Sequence, residues 1–288
     1  MRELEKRFIN NSASASVSFQ IAAFYIKESN DKTENETSSS DKNDKTLKVK
    51  ALAICDSITA RFPKTIAASD ATWLASQIKA KSIAFTVEKV NAPTAPFRTL
   101  ITYKNVNKTY FRVCKVDRQD YKDEFAKYYD DKFIKYLIKL PYIKSWSVNL
   151  PDDGDYYSHS TEIKMDGLPV GEYVILAATD SSFKYASNAV AYGLTYISNL
   201  TYITRRKEDG SCDFNVFDRT SGAPVAGASV QLWYEDYSYV LRQYLYVKGA
   251  RYTTNTDGFF EIPAMKEYRN YNVEISYKND DLFTDDGF

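Results

Sequence analysis

The sequence predicts a mainly β protein in which an α-helical N-terminal region precedes two consecutive immunoglobulin-like β-sandwich domains. Hydrophobic spacing of three and four residues gives way near Lys81 to alternation with period two. Several short strand-like runs then follow one another with turn residues between them. The 24 Tyr and 16 Phe agree with this prediction, because aromatic residues pack well on a half-buried sheet. At 288 residues the chain is long enough for two or three domains.

The helical region is predicted over residues 1–82. Apolar residues from Ala13 to Phe24 repeat at spacings of three and four, which indicates a first helix that ends near Ser29. Residues 29–45 contain no large apolar side chain, so we expect a mobile connector there.

Two further amphipathic helices are predicted after this connector. The first carries apolar residues from Leu47 to Phe62 and is stopped by Pro63, which cannot continue the helical hydrogen-bond ladder. The second begins around Ala67. The string ALAICDSITARFP at residues 51–63, together with the helix after it, resembles the helix–turn–helix unit of tetratricopeptide repeats.

The first sandwich is predicted over residues 83–192. Helical spacing returns at about residues 121–140, which indicates a helical insertion between strands. The unbroken apolar run at residues 173–178 predicts a strand that is buried on both faces. The glycine-containing turn at residues 166–171 suggests that this strand forms a hairpin with the strand before it.

The second sandwich is predicted over residues 193–288. Its short runs begin with residues 194–197 and close with the clean alternation of residues 271–277. Asp257 and Gly258 predict a tight turn into one of the closing strands.

Charge and cysteine content exclude several classes of partner. The 38 basic and 38 acidic residues cancel, so we expect no nucleic-acid partner, and no apolar run is long enough for membrane insertion by this segment. Residues 1–6 lead into no signal-peptide apolar core. Cys55, Cys114 and Cys212 form no CxxC motif and lie in apolar stretches, which favours buried free thiols over a disulfide.

No catalytic, cofactor-binding or metal-binding residue is predicted. His159 is the only histidine, so a structural or solvated role is favoured over a catalytic base or a zinc ligand. The acidic clusters at residues 152–155, 280–281 and 285–286 could bind Ca²⁺, but none has the full EF-hand spacing, and solvated turns are favoured.

A run rich in tyrosine is the one candidate interaction surface. Its rings could stack on sugars or enter a protein interface, whereas the simpler interpretation is a long hairpin whose alternate rings pack on the sheet. The candidate residues are Trp233, Tyr234, Tyr237, Tyr239, Tyr244 and Tyr246.

Several motifs carry a resemblance to a known family. DRTSGAPVAGASV at residues 218–230 and TNTDGFFEI at 254–262 look like the paired turn motifs of macroglobulin-like domains in bacterial α2-macroglobulins, and also like those of carboxypeptidase-regulatory-type domains. YKNVNKTYFRV at 103–113 and HSTEIKMDGLPVGEYV at 159–174 resemble an early macroglobulin-like domain of the same family. In similar proteins this domain follows helices that end in an Arg-Phe-Pro element, as at residues 61–63.

The resemblance implies a non-catalytic scaffold fragment of a large α2-macroglobulin-like protein, with two macroglobulin-like β-sandwiches and no cofactor. The parent would inhibit proteases by entrapment in the periplasm or cell envelope, and the fragment's partners would be the rest of the parent chain. The Cys-Gly-Glu-Gln thioester of trapping members is absent, because Cys55, Cys114 and Cys212 precede Asp, Lys and Asp. The alternative is a surface adhesin or glycan-binding module built of carboxypeptidase-regulatory-like sandwiches. An enzymatic role is not favoured, because the sequence shows no set of residues that could act together as a catalytic site.

Overall fold

The computed structural model describes residues 11–34, 45–127, 131–185, 189–240, 242–265 and 270–284. Three helices open this part of the chain: α1 (Ala13–Glu34), α2 (Leu47–Arg61) and α3 (Ile66–Lys79). They pack on one another through a cluster in which alanine is frequent, so that the helix backbones can approach closely. Its buried members are Ala15, Ala22, Ala51, Leu52, Cys55, Ile58, Ala67, Ala68, Ala71, Leu74 and Ile78.

Helix α1 extends beyond its predicted end near Ser29 and reaches Glu34. Helical hydrogen bonds are made by the backbone itself, so a polar stretch can continue a helix past its buried face. Ser29 donates its hydroxyl to the Ile26 carbonyl oxygen at 2.7 Å, which keeps this side chain within the helix. Residues 29–34 of the predicted connector are therefore helical, and its residues 35–44 lie outside the described part of the chain.

The turn between α2 and α3 follows the sequence prediction. Helix α2 ends at Arg61, two residues before Pro63. Helix α3 begins at Ile66 because Thr65 caps it: the Thr65 hydroxyl accepts a hydrogen bond from the Ala68 backbone N–H at 3.2 Å.

The first sandwich pairs a three-stranded sheet, in the order β1-β3-β6, with a five-stranded sheet in the order β2-β8-β7-β4-β5. The strands are β1 (Ser82–Val87), β2 (Val90–Asn91), β3 (Phe97–Lys104), β4 (Lys108–Val116), β5 (Lys144–Asn149), β6 (His159–Met165), β7 (Gly171–Ala178) and β8 (Val190–Ile197). Only β2 and β8 pair in parallel among these strands. Alternate side chains meet between the sheets, including Ile101, Tyr103, Phe111, Val113, Ile163, Met165, Tyr173 and Ile175.

The outer face of the five-stranded sheet is covered by two helices, α4 (Arg118–Lys127) and α5 (Asp131–Lys139), at the predicted helical insertion. Phe133 and Leu137 of α5 are buried in one cluster with Val174 of β7. Residues 173–178 are all buried. The prediction of a strand buried on both faces is therefore confirmed.

The hairpin expected between β6 and β7 is wrong. β6 pairs with β3, whereas β7 pairs with β4 and β8, so the connecting residues carry the chain from one sheet to the other. Leu168 in this connection is buried. Gly167 lies so close to Thr94 that a Cβ atom would stand 2.2 Å from the Thr94 carbonyl oxygen. Turn residues mark a change of chain direction, but they do not determine which strands are joined.

The second sandwich pairs the sheet β13-β10-β9 with the sheet β12-β11-β14-β15. The strands are β9 (Leu200–Arg206), β10 (Cys212–Asp218), β11 (Ser229–Ser238), β12 (Gln243–Thr253), β13 (Phe259–Ile262), β14 (Tyr271–Tyr277) and β15 (Asp280–Phe283). Its core contains Phe214, Val216, Val230, Leu232, Phe260, Ile262, Val273, Ile275 and Leu282. The mainly β fold with two sandwiches and a helical region agrees with the fold class that the sequence predicts.

Strand β8 contributes to both sandwiches. It pairs with β7 along its whole length, so the boundary predicted between residues 192 and 193 falls inside this strand. Tyr196 packs in the core of the second sandwich, and the next residue, Ile197, packs in the core of the first. Successive side chains of a strand point to opposite faces, which lets one strand serve two cores.

Candidate interaction surface and domain junction

The predicted interaction surface lies on the hairpin of β11 and β12. β14 pairs with β11 from Ser229 to Tyr234, whereas β12 pairs with β11 as far as Ser238. The outer half of the hairpin is therefore a two-stranded ribbon that extends beyond its sheet. The predicted aromatic residues divide between the base and the tip of this ribbon.

The two residues at the base are held by contacts within the protein. Tyr234 packs against the core of the second sandwich and covers Gly249, where an added Cβ atom would stand 2.2 Å from the Tyr234 ring. Trp233 donates its indole N–H to Glu274 Oε2 at 2.7 Å, and the Lys248 ammonium lies 5.2 Å from the centroid of the Trp233 rings. Both aromatic residues are therefore anchors of the hairpin.

The tip of the ribbon is the exposed part of the candidate surface. Tyr237 and Tyr239 form a T-shaped ring pair with centroids 5.2 Å apart, and they are 42% and 86% exposed. Val240 beside them is also exposed. The side chains of Tyr244 and Tyr246 lie outside the described part of the chain. A pair of exposed rings with an apolar neighbour can contact a protein or a sugar.

A second feature, which the sequence did not reveal, lies where the two sandwiches meet. Arg118 at the start of α4 contacts Glu274 Oε1 on β14 at 2.6 Å and Glu172 Oε1 on β7 at 3.7 Å. Its guanidinium carbon also lies 4.4 Å from the centroid of the Phe283 ring. We call Arg118, Glu172, Glu274 and Phe283 the junction cluster.

The charged side chains of the junction cluster are mostly buried. The side chains of Arg118, Glu172 and Glu274 are between 13% and 20% exposed. Burial acts to lower the pKa of Arg118, but the hydrogen bond to Glu274 and the charges of both carboxylates outweigh it and raise that pKa. Arg118 and Glu274 are 156 residues apart, so no local pattern of residues could have indicated this contact.

A crevice of about 320 Å³ opens beside the junction cluster. Lys115 and Asp117 line it from the first sandwich, and Asn279 and Asp281 line it from the second. Its lining is therefore rich in charged and amide groups. The crevice and the cluster together form a polar joint between two domains.

His159 is the first residue of β6. Its Nε2 atom is 2.9 Å from Asp155 Oδ1, and its ring lies 6.0 Å from the Tyr103 ring, centroid to centroid. The neighbouring Ser160 shares a hydrogen bond of 2.9 Å with Thr102. Among the described residues, the hydrogen-bond partner of the His159 ring is Asp155 and not a serine or cysteine.

The three cysteines are free and buried, as the sequence favours, and they lie in three separate core clusters. Burial raises the pKa of the Cys55 and Cys114 thiols to about 11. Burial also raises the pKa of Cys212. All three thiols are therefore neutral at physiological pH, and a neutral thiol is a poor nucleophile.

Residues 152–155 lie in the loop before β6, whereas Asp280 and Asp281 are the first two residues of β15. Asp152 Oδ1 accepts a hydrogen bond from the Gly154 backbone N–H at 3.0 Å, and Asp280 Oδ2 accepts one from the Asn199 N–H at 2.7 Å. Asp285 and Asp286 lie outside the described part of the chain. Within the described residues, no helix combines the length and apolar character that a membrane crossing requires.

Comparisons with known proteins give structural neighbours only. No protein-family model and no curated protein matches the chain. The native conformation of Escherichia coli α2-macroglobulin matches at 16% identity and a TM-score of 0.36, over 70% of this chain and 12% of that protein. The CARDB domain of a Pyrococcus furiosus protein, solved with di-metal ions, matches at 15% identity and a TM-score of 0.25, over 41% of this chain and 87% of that domain.

A third neighbour is the red sea bream transglutaminase, which matches at 11% identity and a TM-score of 0.30. That match covers 80% of this chain and 34% of the transglutaminase. The chain thus spans about an eighth of the E. coli protein and a third of the transglutaminase. At these TM-scores the likenesses carry no argument about activity. The sheets of the chain form β-sandwiches, and its structural neighbours include a bacterial α2-macroglobulin.

Proposed function

We propose that the chain is a non-catalytic scaffold segment of a large α2-macroglobulin-like protein, and that the whole protein inhibits proteases by entrapment in the periplasm or cell envelope. The observation that carries this proposal is the junction cluster. Arg118 contacts a carboxylate from each sandwich, and charge-assisted hydrogen bonds have a narrow preferred geometry. Such a contact favours one relative orientation of the two domains.

A fixed orientation is what a cage around a protease requires. A wall built of consecutive sandwiches keeps its shape only when neighbouring domains resist bending at their joint. Tyr196 adds to this resistance, because it lies on strand β8 of the first sandwich and its side chain packs in the core of the second sandwich. The proposed role of this segment is therefore mechanical.

The turn motifs of the second sandwich also support the proposal. Asp218 Oδ1 accepts hydrogen bonds from the backbone N–H groups of Thr220 and Ser221, at 3.1 Å and 2.8 Å. Gly222 and Gly258 have φ values of +71° and +72°, which favour glycine. These hydrogen bonds and φ values give a physical reason for Asp218, Gly222 and Gly258 in the motifs that resemble macroglobulin-like domains.

The experiment uses the full-length product of the gene that encodes this chain. The product is incubated with trypsin, and the enzyme is then assayed on a small peptide and on a large protein. We expect hydrolysis of the large protein to fall more than tenfold while hydrolysis of the peptide changes less than twofold, because a cage excludes only large substrates. Unchanged hydrolysis of both substrates would contradict entrapment, and so would an equal loss of both. The 288-residue chain alone is the control, and it should inhibit neither reaction.

The second candidate is a binding module that uses the tip of the β11–β12 ribbon. The observation in its favour is the exposed ring pair of Tyr237 and Tyr239. A glycan array tests it: binding that is lost when both tyrosines are replaced by Ala would support a glycan-binding module. Trp233 is a poor target for this test, because its indole N–H is bonded to Glu274 and its loss would disturb the hairpin.

A further inference from the structure

Three side chains near the joint between the helices and the first sandwich form a cluster of metal-ligand type. One carboxylate oxygen of Asp153, one of Asp155 and a ring nitrogen of His159 lie within 4.8 Å of one another. The two acids lie in the loop that precedes β6, and His159 is the first residue of β6, where it pairs with Tyr103 of β3. Pairing with β3 holds the backbone of the histidine in place.

The carboxylate of Asp155 is buried and has one oxygen without a hydrogen-bond partner among the described residues. Asp155 is only 7% exposed. Its Oδ1 atom accepts a hydrogen bond from the Tyr157 N–H at 2.9 Å and faces His159 Nε2 at 2.9 Å. Its Oδ2 atom is buried and has no hydrogen-bond partner among the described residues. The two oxygens share one carbon, so Oδ2 lies beside the cluster, and a buried polar atom without a partner is costly.

The charges of two lysines, Lys45 and Lys48, act on the Asp155 carboxylate. The nearby Lys48 ammonium lies over the Tyr157 ring, 4.1 Å from its centroid. The cluster therefore presents two carboxylates and one imidazole.

We propose that Asp153, Asp155 and His159 bind a divalent transition-metal ion, for which Zn²⁺ is the best fit, with water completing its coordination. Zn²⁺ accepts imidazole nitrogen and carboxylate oxygen at about 2.0–2.2 Å in tetrahedral geometry. Ligand atoms around such an ion lie about 3.3 Å apart. The exposed Asp153 therefore has to move inward, by about 1.5 Å at most given the span of 4.8 Å.

The choice of Zn²⁺ over Ca²⁺ follows from the ligand types. Ca²⁺ is bound by roughly six to eight oxygen atoms, and an imidazole nitrogen is not among its usual ligands. Two carboxylates balance the charge of Zn²⁺, while a neutral imidazole supplies the third ligand. His159 was expected to have a structural or solvated role because it is the only histidine and no cysteine lies near it in the chain. The loop before β6 brings Asp153 and Asp155, six and four residues earlier in the chain, to it.

A bound ion would strengthen the joint beside it. Tyr156, between the second acid and the histidine, packs against the core of the helical region. An ion held by Asp155 and His159 would restrain this residue from both sides along the chain. The site is independent of the proposed scaffold function, because it needs neither a trapped protease nor the rest of a parent chain.

The test is a calorimetric titration of Zn²⁺ into the full 288-residue chain, prepared without a histidine tag. We expect one ion per chain. Asp153→Asn should weaken binding more than about tenfold, since it removes a direct ligand from an exposed position where the fold is not at risk. Asp152→Asn is the matched control: it makes the same charge change one residue away, and Asn can still accept the Gly154 N–H, so affinity should be unchanged.

A second readout follows His159 directly. As the only histidine, it gives a single set of imidazole signals in the NMR spectrum, and those signals should shift when one equivalent of Zn²⁺ is added. Absence of stoichiometric binding would overturn the proposal. Equal weakening by Asp152→Asn and Asp153→Asn would also overturn it, as would binding that leaves the imidazole signals unmoved. Displacement of Zn²⁺ by equimolar Ca²⁺ would refute the assignment to a transition metal.

Discussion

Arg118 is the residue whose replacement most directly tests how the two sandwiches are joined. Arg118→Met keeps an unbranched side chain over the Phe283 ring but removes the cation that faces Glu172 and Glu274. Both carboxylates are mostly buried, so water can replace that cation only in part. The variant should therefore lose stability.

The size of the loss can be worked from the contacts. Two unit charges about 4 Å apart interact by about 4 kcal/mol at an effective dielectric constant near 20. Removal of one partner from a buried ion pair costs about 3–5 kcal/mol. The side chains of Arg118 and Glu274 are 15% and 20% exposed, so we expect a loss at the lower end of this range, about 3 kcal/mol. With a urea dependence of about 2 kcal/mol per molar, the unfolding midpoint should fall by about 1.5 M.

Urea unfolding followed by tryptophan fluorescence measures this loss in each region. The three tryptophans lie one in each region: Trp73 in α3, Trp146 in β5 and Trp233 in β11. A variant that keeps only Trp233 retains the contact of this ring with Glu274 and reports on the second sandwich, and one that lacks only Trp73 reports on both sandwiches. Arg118→Met should lower the midpoint seen by both reporters.

Two outcomes would refute this reasoning. The first is a loss below about 1 kcal/mol, which is the size of an exposed ion pair. The second comes from the double variant Arg118→Met with Glu274→Gln, which also removes the negative charge. If the junction cluster is a coupled ion pair, the double variant should lose less than the sum of the two single variants. Strict additivity would show that the two side chains act independently.

Three further predictions concern the turns, the thiols and the ribbon tip. Gly258→Ala should cost about 3 kcal/mol or more in urea unfolding, because the new Cβ atom would stand 2.3 Å from a backbone oxygen at φ +72°. Gly222→Ala, at φ +71° but with nothing within 4 Å, should cost only about 1 kcal/mol. Cys55 and Cys114, with pKa values raised to about 11, should not react with a thiol reagent at pH 8 until the chain unfolds. Tyr239→Ala should change stability by less than about 0.5 kcal/mol, because the ring is 86% exposed.

Each of these predictions has an opposing result. Equal costs at Gly258 and Gly222 would mean that backbone conformation alone, and not the close approach to Val216, decides the effect. Fast modification of the folded chain would mean that the thiols are reached without unfolding. A large loss from Tyr239→Ala would place this ring in a contact that stabilises the fold.

Local periodicity predicted the type of most elements. The change from helical to alternating spacing, the insertion at about residues 121–140 and the buried strand at 173–178 all appear in the structure. The end of α1 was predicted too early, because the buried face of a helix can stop before its hydrogen bonds do. The candidate surface was predicted as one set of six rings. Pairing with β14 distinguishes the anchors Trp233 and Tyr234 from the exposed tip, and the sequence did not indicate this pairing.

The sequence by itself determined where the chain is helical, where it alternates and which strand is buried on both faces, because these properties depend on neighbours two to four residues away. Tertiary structure alone decided that β6 and β7 join different sheets, that β8 serves two cores and that Arg118 meets Glu274 across 156 residues. The local path of the loop before β6 brings Asp153 and Asp155 to His159, and the spacing of six and four residues did not by itself indicate this candidate metal site. Strand pairing and ion-pair contacts join residues that are distant in the chain, so they depend on how whole sheets pack and not on any local pattern.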